Sequence, residues 1–410
     1  MEKPRSLAWI TAGVLGISLA TFLCDLGHEC ATAVLPLYLA SIQLGPLGLG
    51  IVEGVADFVV SFSRLAGGVF GHFVPRKKPW TVWAYVVTSV ATASIGLVQT
   101  LLPIVTMRTT AWIGRGFRGP LRDYLLAENV PVTHYGRAYG LERAADMLGA
   151  VSGPLVAVSL LWIGLPIWHI IVWTFIPGIL AALTMQFLVT EKDESMTLGG
   201  NSNISGASAA RSPHFPGTFW LFLVGVLFFG LGDFSRTFLI LLAAKALNAD
   251  FDAPAGILSL PILLYVLHNM VSALAALPVG SWGDRSGKLG ILIVGYGLGV
   301  GTNVLLALWG SSLSGVTCAV ILSGIYIAVE ETLEKATAAE MLSRDLRSLG
   351  FGYLACVNAV GDMLSSIYVG YLWEQGHIAG AFLLAASFGA CGVLWLGVLY
   401  LRQTWSSSGR

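Results

Sequence analysis

Asp25, His28 and Glu29 share one otherwise apolar run, SLATFLCDLGHECATAVL. On a helix the three fall within about 100° of arc. Carboxyl groups buried in apolar surroundings are shifted toward the neutral form, so such a pair can take and release protons near physiological pH. A second apolar run carries Arg108, Arg115, Arg118 and Arg122. These lie within about 80° of one another on a helix and form a basic stripe. Such a stripe can bind an anionic group or govern a nearby carboxylate. The plainer alternatives are a hydrogen-bonded patch that fixes the first helix to a neighbour, and ion pairs that are purely structural. Partners for the latter exist: Glu53, Asp57 and Arg64 share one helix face, Glu142, Arg143 and Asp146 lie on another helix, and Asp233 is three residues from Arg236.

Other chemistry finds less support. Cys24, Asp25, His28, Glu29 and Cys30 are all types that bind metal ions. Cys24 and Cys30 point about 120° apart on a helix, so one helix cannot aim all five at one ion, and no metal site is assigned. A buried cysteine is more often a small apolar filler. There is no GxxxxGK[ST] loop for ATP, no nucleophile–base motif, and no HExxH, because Ala31 and Thr32 follow Glu29 and Cys30. The chain is therefore not expected to be an enzyme or to carry a cofactor.

The elements that hold these groups are set by composition. The chain is 55% hydrophobic and only 11% charged, with a mean hydropathy of +0.76. A soluble chain carries about a quarter charged residues, so most of this one is solvated by lipid. The net charge is zero, which gives no case for a nucleic-acid partner. The 49 glycines suit close helix packing in a bilayer. Five cysteines with no CxxC argue against a disulfide framework. Residues 7–23 follow a short basic start like a signal peptide, but no cleavage site of small residues follows, so they are read as a retained helix.

A crossing needs about 20 apolar residues. Twelve runs qualify, near 7–40, 47–71, 80–101, 104–130, 138–162, 168–190, 216–247, 254–280, 289–309, 314–342, 349–374 and 379–402. Every Lys and Arg outside them falls on one side, from Lys3 and Arg5 through Arg76, Arg137, Arg211, Arg285, Lys288 and Arg344 to Arg410. The positive-inside bias then puts both termini in the cytoplasm, for a multi-pass protein of a bacterial-type cytoplasmic membrane. The polar stretch 191–215 reads as a flexible linker between residues 1–190 and 216–410. Its Asn203 sequon is uninformative on that side. The aromatics Trp112, Tyr124, Trp220, Tyr265 and Tyr326 suit either a cavity wall or lipid contact.

One offset relates the two parts. Gly68 and Gly280, Arg76 and Lys288, Glu128 and Glu340, Gly140 and Gly352, and Gly149 and Gly361 are each 212 residues apart. Duplicated halves are the usual build of a secondary transporter. The second copy reads Gly280-Ser-Trp-Gly-Asp284-Arg285-Ser-Gly-Lys288, which resembles the GxxxDRxGK loop of the major facilitator superfamily. In the first copy His72 stands at the Asp position and Pro75 at the Gly position. In the family that Asp helps latch the halves on the cytoplasmic side, so this copy departs from the latch. Arg108, twelve residues before Pro120, resembles the helix 4 arginine of proton-coupled members. Gly149, Gly153 and Pro154 resemble the start of the helix 5 antiporter element, and its second glycine pair is replaced by Val156 and Ala157. The run Gly114–Asp123 and the Asp25/Glu29 pair resemble a bacterial efflux subgroup with an RGxRxPxRD pattern.

The resemblance implies an all-α membrane protein of twelve transmembrane helices in two pseudo-symmetric six-helix bundles, acting as a monomer on a small-molecule substrate. It places spans 1, 4, 7 and 10 around a central cavity. The 212 offset maps Arg118 to Glu330, Arg122 to Glu334 and Asp123 to Lys335, so the charges of span 4 are inverted in span 10. The expected function is proton-coupled efflux of a small organic compound. Asp25, His28 and Glu29 handle protons. Arg108, Trp112, Arg115, Asp233 and Glu330 line the cavity. A gate network spans Glu53, Asp57, Arg64, Gly68, Arg76, Arg118, Arg122, Asp123, Glu142, Arg143, Asp146, Gly280, Asp284, Arg285, Lys288 and Glu334. The alternatives are uptake of an anionic metabolite at the arginines, export of a metal or its chelate, and a receptor or scaffold without flux.

Overall fold

A computed structural model describes residues 9–44, 46–191, 214–234, 238, 239, 242 and 260–408. Most of the 191–215 stretch, Arg236, and the side chains of Glu53, Asp57 and Tyr265 lie outside the described residues. Among the described residues the chain is helical and contains no strand. Helices α1 (Ala12–Ser41), α2 (Pro46–Phe73), α3 (Lys78–Ser94), α4 (Leu101–Glu128), α5 (Tyr135–Trp162), α6 (Ile167–Trp173) and α7 (Phe175–Leu188) come from the first part. From the second come α8 (Gly217–Gly230), α9 (Leu260–Ser286), α10 (Lys288–Trp309), α11 (Leu313–Met341), α12 (Arg344–Glu374) and α13 (Ile378–Ser408). Among the described residues seven helical segments are long and apolar enough to cross a membrane. Helices α4 and α12 have similar length, 28 and 31 residues, but carry the charges discussed below.

Two expected runs are interrupted. The sixth breaks at Thr174, between α6 and α7, where Pro177 has no N–H to continue the ladder. The Thr174 hydroxyl donates to the Ile171 carbonyl at 2.6 Å at that bend. The seventh run was expected to be continuous over 216–247, but α8 stops at Gly230 and a turn follows. A broken helix in lipid must find new partners for its backbone. Here the Tyr368 hydroxyl donates to the Leu231 carbonyl (2.7 Å), the Asn303 amide to Gly232 (2.9 Å) and the Ser365 hydroxyl to Asp233 (2.8 Å). Side chains of α10 and α12 thus pay for the turn that carries Asp233.

Helices α1 to α7 pack mainly on one another, as do α8 to α13. The two groups meet along α5 against α9 and α2 against α12. These two seams use matched glycines. Gly280 packs on the backbone of Gly136, and Gly68 on Ser348 and Gly352. Gly140 faces the Ala276 carbonyl, and Gly352 faces that of Arg64. Positions 68 and 280, 136 and 348, 140 and 352, and 64 and 276 are each 212 apart. One contact therefore occurs twice. Small residues suit it because lipid gives apolar side chains no drive to associate, so affinity comes from close backbone approach.

The loop copies differ for a conformational reason. Gly287 has φ 95°, a region open to glycine, and sits between α9 and α10. Pro75 cannot adopt that φ, so the α2–α3 connection turns differently. It is held instead by Glu191, whose carboxylate accepts the N–H groups of Lys77 (2.7 Å) and Lys78 (3.0 Å) at the start of α3.

Glycines of α5 also seat α1. A side chain at Gly149 would meet the Phe22 carbonyl at 2.7 Å and Asp25 Cβ at 3.0 Å. One at Gly153 would meet Glu29 Cβ at 2.7 Å and the Cys30 nitrogen at 2.8 Å. Both carboxylates therefore depend on α5 having no Cβ there. Gly153→Val should destabilise the protein by about 1–3 kcal/mol, the usual cost of overpacking. Thermal unfolding in detergent will check this, and an unchanged midpoint would show that α1 shifts freely.

Candidate functional site: a charged cavity between two helix groups

A cavity of about 350 Å³ lies between the helix groups. One wall comes from α1, α4 and α5 and includes Asp25, Glu29, Trp112 and Arg115. The other includes Asp233, Glu330 and Glu334, with Asn358 and Asp362 of α12. Arg64, Arg118, Arg122, Asp123, Glu142, Arg143 and Asp146 also line it. The structure therefore gathers most of the expected charged residues around one space.

On the first wall Asp25 is buried and forms an ion pair with Arg115. The second oxygen of Asp25 has no hydrogen-bond partner. Arg115 keeps 24% of its side chain exposed, toward the cavity. Trp112 is sandwiched by charge: the Arg108 guanidinium lies 5.4 Å and that of Arg115 5.7 Å from its ring centroid. His28 packs edge-on to the same ring at 5.0 Å. Arg108 is 1% exposed and donates to the Thr32 hydroxyl at 3.1 Å. It does not line the cavity, unlike the expectation, because Thr32 and Trp112 hold it behind the wall.

Further along α4 the arginines are held within their own group. Arg122 pairs with Glu142 (2.8 Å) and Asp123 (2.9 Å). Arg118 lies over the Tyr85 ring at 4.3 Å and donates to the Thr88 hydroxyl at 3.4 Å. Neither reaches across the seam, in line with the structural pairing within one part that the sequence left open beside a gate role. Glu334 also finds its partners locally. It accepts from the Tyr296 hydroxyl and from the Asn358 amide (2.6 Å), both in its own group. Asp233 accepts from the Tyr326 hydroxyl at 2.8 Å.

The seam is bridged instead by other pairs, clustered at the end that bears the basic loops. Glu128 meets Arg344 at 2.6 Å and Arg347 at 3.0 Å. Asp284 accepts the N–H groups of Gly136 (2.8 Å) and Arg137 (3.0 Å), with Lys288 at 3.6 Å. Lys288 also meets Glu340 at 3.2 Å. Deeper in, Arg143 meets Glu331 at 3.3 Å and Lys335 meets Asp123 at 3.8 Å. At the worn loop copy, His72 Nδ1 donates to the Asp345 carbonyl at 2.9 Å. The site of the missing carboxylate is thus still a cross-seam contact, with histidine as donor. Arg76 and Arg285 are exposed at this end.

Residues 17–239 match the profile of the Major Facilitator Superfamily. The chain belongs to this superfamily. An uncharacterised MFS-type transporter of Methanocaldococcus jannaschii is 26% identical over 91% of this chain and 90% of its own length. The fold resembles that of the human organic anion transporter MFSD10, with a TM-score of 0.74 at 14% identity, covering 96% of this chain and 100% of that one. It also resembles the Escherichia coli fucose:proton symporter FucP, with a TM-score of 0.70 at 12% identity, covering 94% and 98%. A bacterial homologue of the iron transporter ferroportin, solved outward-facing, gives 0.69 at 15% identity, covering 96% and 99%. The protein is a multi-pass membrane transporter and not an enzyme.

Within this superfamily member the cross-seam residues Glu128, Glu331, Lys335, Arg344 and Arg347 escaped sequence reasoning. Glu128 and Lys335 left a signal as repeat-matched positions, and Arg344 and Arg347 only as basic residues outside the spans. Glu128→Gln should weaken the closed seam by about 1.5–3 kcal/mol, the worth of hydrogen bonds to a charged group. Spin labels at the exposed Phe73 and Trp282 will then report a longer distance population. An unaltered distribution would mean that the pair does not hold the seam.

Proposed function

We propose that this protein is a secondary active transporter that exports a small organic compound in exchange for protons. Its architecture is read as twelve membrane helices in two six-helix bundles, residues 1–190 and 216–410, with a linker over 191–215. The observation that carries this reading is the cavity between the helix groups, closed at its basic end by ion pairs that cross the seam. Such pairs can break and re-form as the bundles rock, giving alternating access to one site. The positive-inside bias puts the basic end and both termini in the cytoplasm of a cell bounded by a cytoplasmic membrane.

Asp25 carries the proton in this scheme, with Glu29 beside it on the cavity wall. Protonation of Asp25 removes the charge that holds Arg115, so a proton is converted into a freed guanidinium. His28 and Trp112 brace that guanidinium from behind. Monomeric action fits a cavity built wholly within one chain.

A second reading, uptake of an anionic metabolite, is supported by the exposed part of Arg115 in the cavity. The likeness to an organic anion transporter is one of fold only. Metal export draws no support from the described residues, among which no group of three or more His, Cys, Asp or Glu is placed to hold an ion. A receptor without flux predicts no solute movement in vesicles.

Reconstitution into proteoliposomes separates these readings. Substrate addition should drive proton movement, and Asp25→Asn should abolish it while leaving the protein folded. Unchanged coupling in Asp25→Asn removes the proposed proton role. Loss of anion uptake in Arg115→Ala, with no proton movement, would favour the second reading.

A further inference from the structure

Charge around the cavity is balanced unevenly. On the α1–α5 side the arginines meet groups of that same side: Arg115 pairs with Asp25, Arg122 with Glu142 at 2.8 Å and Arg143 with Asp146 at 2.6 Å. On the opposite side Glu330 is 6% exposed and lines the cavity, and its Oε2 has no hydrogen-bond partner. Among the described residues no Lys or Arg forms an ion pair with Glu330. A buried carboxylate without a cation is costly, so Glu330 is either held neutral by a proton or paired with a cation that enters the site.

Among the described residues no ion pair supplies that cation. Along its own helix Glu330 is flanked by Glu331 and Glu334, with Asp233 beyond the end of α8 and Asp362 on α12. From α9 and α10 come neutral groups, Asn269 on the cavity wall and the Tyr296 hydroxyl, which donates to Glu334. The cations that approach from α5 and α11 are engaged elsewhere. Arg143 holds Asp146 and Glu331, and Lys335 lies 3.8 Å from Asp123 and 3.9 Å from Glu331. Apolar surface is available beside the acid: Trp112, Met147, Phe351 and Leu354 line the same space.

We propose that the cargo of this cavity is a small organic cation, an amine or quaternary ammonium with an apolar body, whose charged nitrogen is held against Glu330. Met147, Phe351 and Leu354 supply apolar surface for the body of such a compound. A volume of about 350 Å³ lies in the range of small-molecule pockets, ~300–1,000 Å³. An anion in the same place would face Glu330 and Glu334 and would have to take Arg115 from Asp25. This inference names the substrate class of the transport site and rests on that reading of the cavity.

The test uses the full-length protein in nanodiscs and two radiolabelled probes of similar size and opposite charge, phenyltrimethylammonium and phenylacetate. Equilibrium dialysis should show binding of the cation and not of the anion. Glu330→Gln should weaken cation binding by about tenfold or more, as loss of a charge-assisted contact does, and Glu330→Asp should retain most of it. Monodisperse elution of each variant guards against misfolding, and the wild-type preference for cation over anion stands without any variant. Preference for phenylacetate, undiminished cation binding in a folded Glu330→Gln, or no binding of either probe overturns the proposal. Flux in vesicles is measured separately. Cation binding at Glu330 without flux removes the transport reading alone, whereas flux with unaltered cation affinity in Glu330→Gln removes this inference alone.

Discussion

An ionised side chain within lipid must be paired, hydrated or neutralised, and this requirement organises the whole molecule. Each such group costs at least ~2.5 kcal/mol at the centre of a bilayer helix. The described charges fall into three sets that meet the cost differently. Arg122 with Glu142 and Arg143 with Asp146 are settled within one helix group. Glu128 with Arg344 and Arg347 is settled only when the two groups touch. Glu330, whose Oε2 has no hydrogen-bond partner, is settled by neither and lines the cavity. The first set holds the fold, the second holds one conformation, and the third is left for chemistry.

The second set makes conformation conditional. Pairs that cross a seam contribute only while the seam is closed. The glycine contacts beneath them are of the same kind, because lipid gives no hydrophobic reason for the groups to stay together. Gly280 on Gly136 and Gly68 on Gly352 allow the backbones to meet without interdigitating side chains that would have to be withdrawn. A seam of glycine contacts and ion pairs can part without withdrawing interlocked side chains. The cavity, in contrast, is lined by groups braced from behind, such as Trp112 by His28. A stable wall beside a labile seam is what a rocking transporter requires.

The broken eighth helix joins these themes. Its turn at 231–234 exposes three carbonyls that Tyr368, Asn303 and Ser365 satisfy. Those donors tie the turn to α10 and α12, and so fix Asp233 at the cavity rather than on a continuous helix face. Irregular backbone at membrane depth is tolerated only where protein or water meets its polar groups. Discontinuous helices are a common feature of transporter binding sites.

The chain's residues alone determined the solvent, the repeat and the positions of the costly charges. Apolar run lengths required membrane helices, the 212-residue offset required two related parts, and helical periodicity grouped Arg115 with Arg118 and Arg122. These properties are local or periodic, so they survive without coordinates. Pairing is not local. Whether Arg118 met a carboxylate or a tyrosine ring, and whether Glu334 met an arginine or the Tyr296 hydroxyl, depended on how separate helices rotate and sit in depth against one another. The break after Gly230 was equally hidden, because its cost is met by side chains of distant helices. The sequence showed which groups needed partners, and only the packing of two helix groups decided which partners they found.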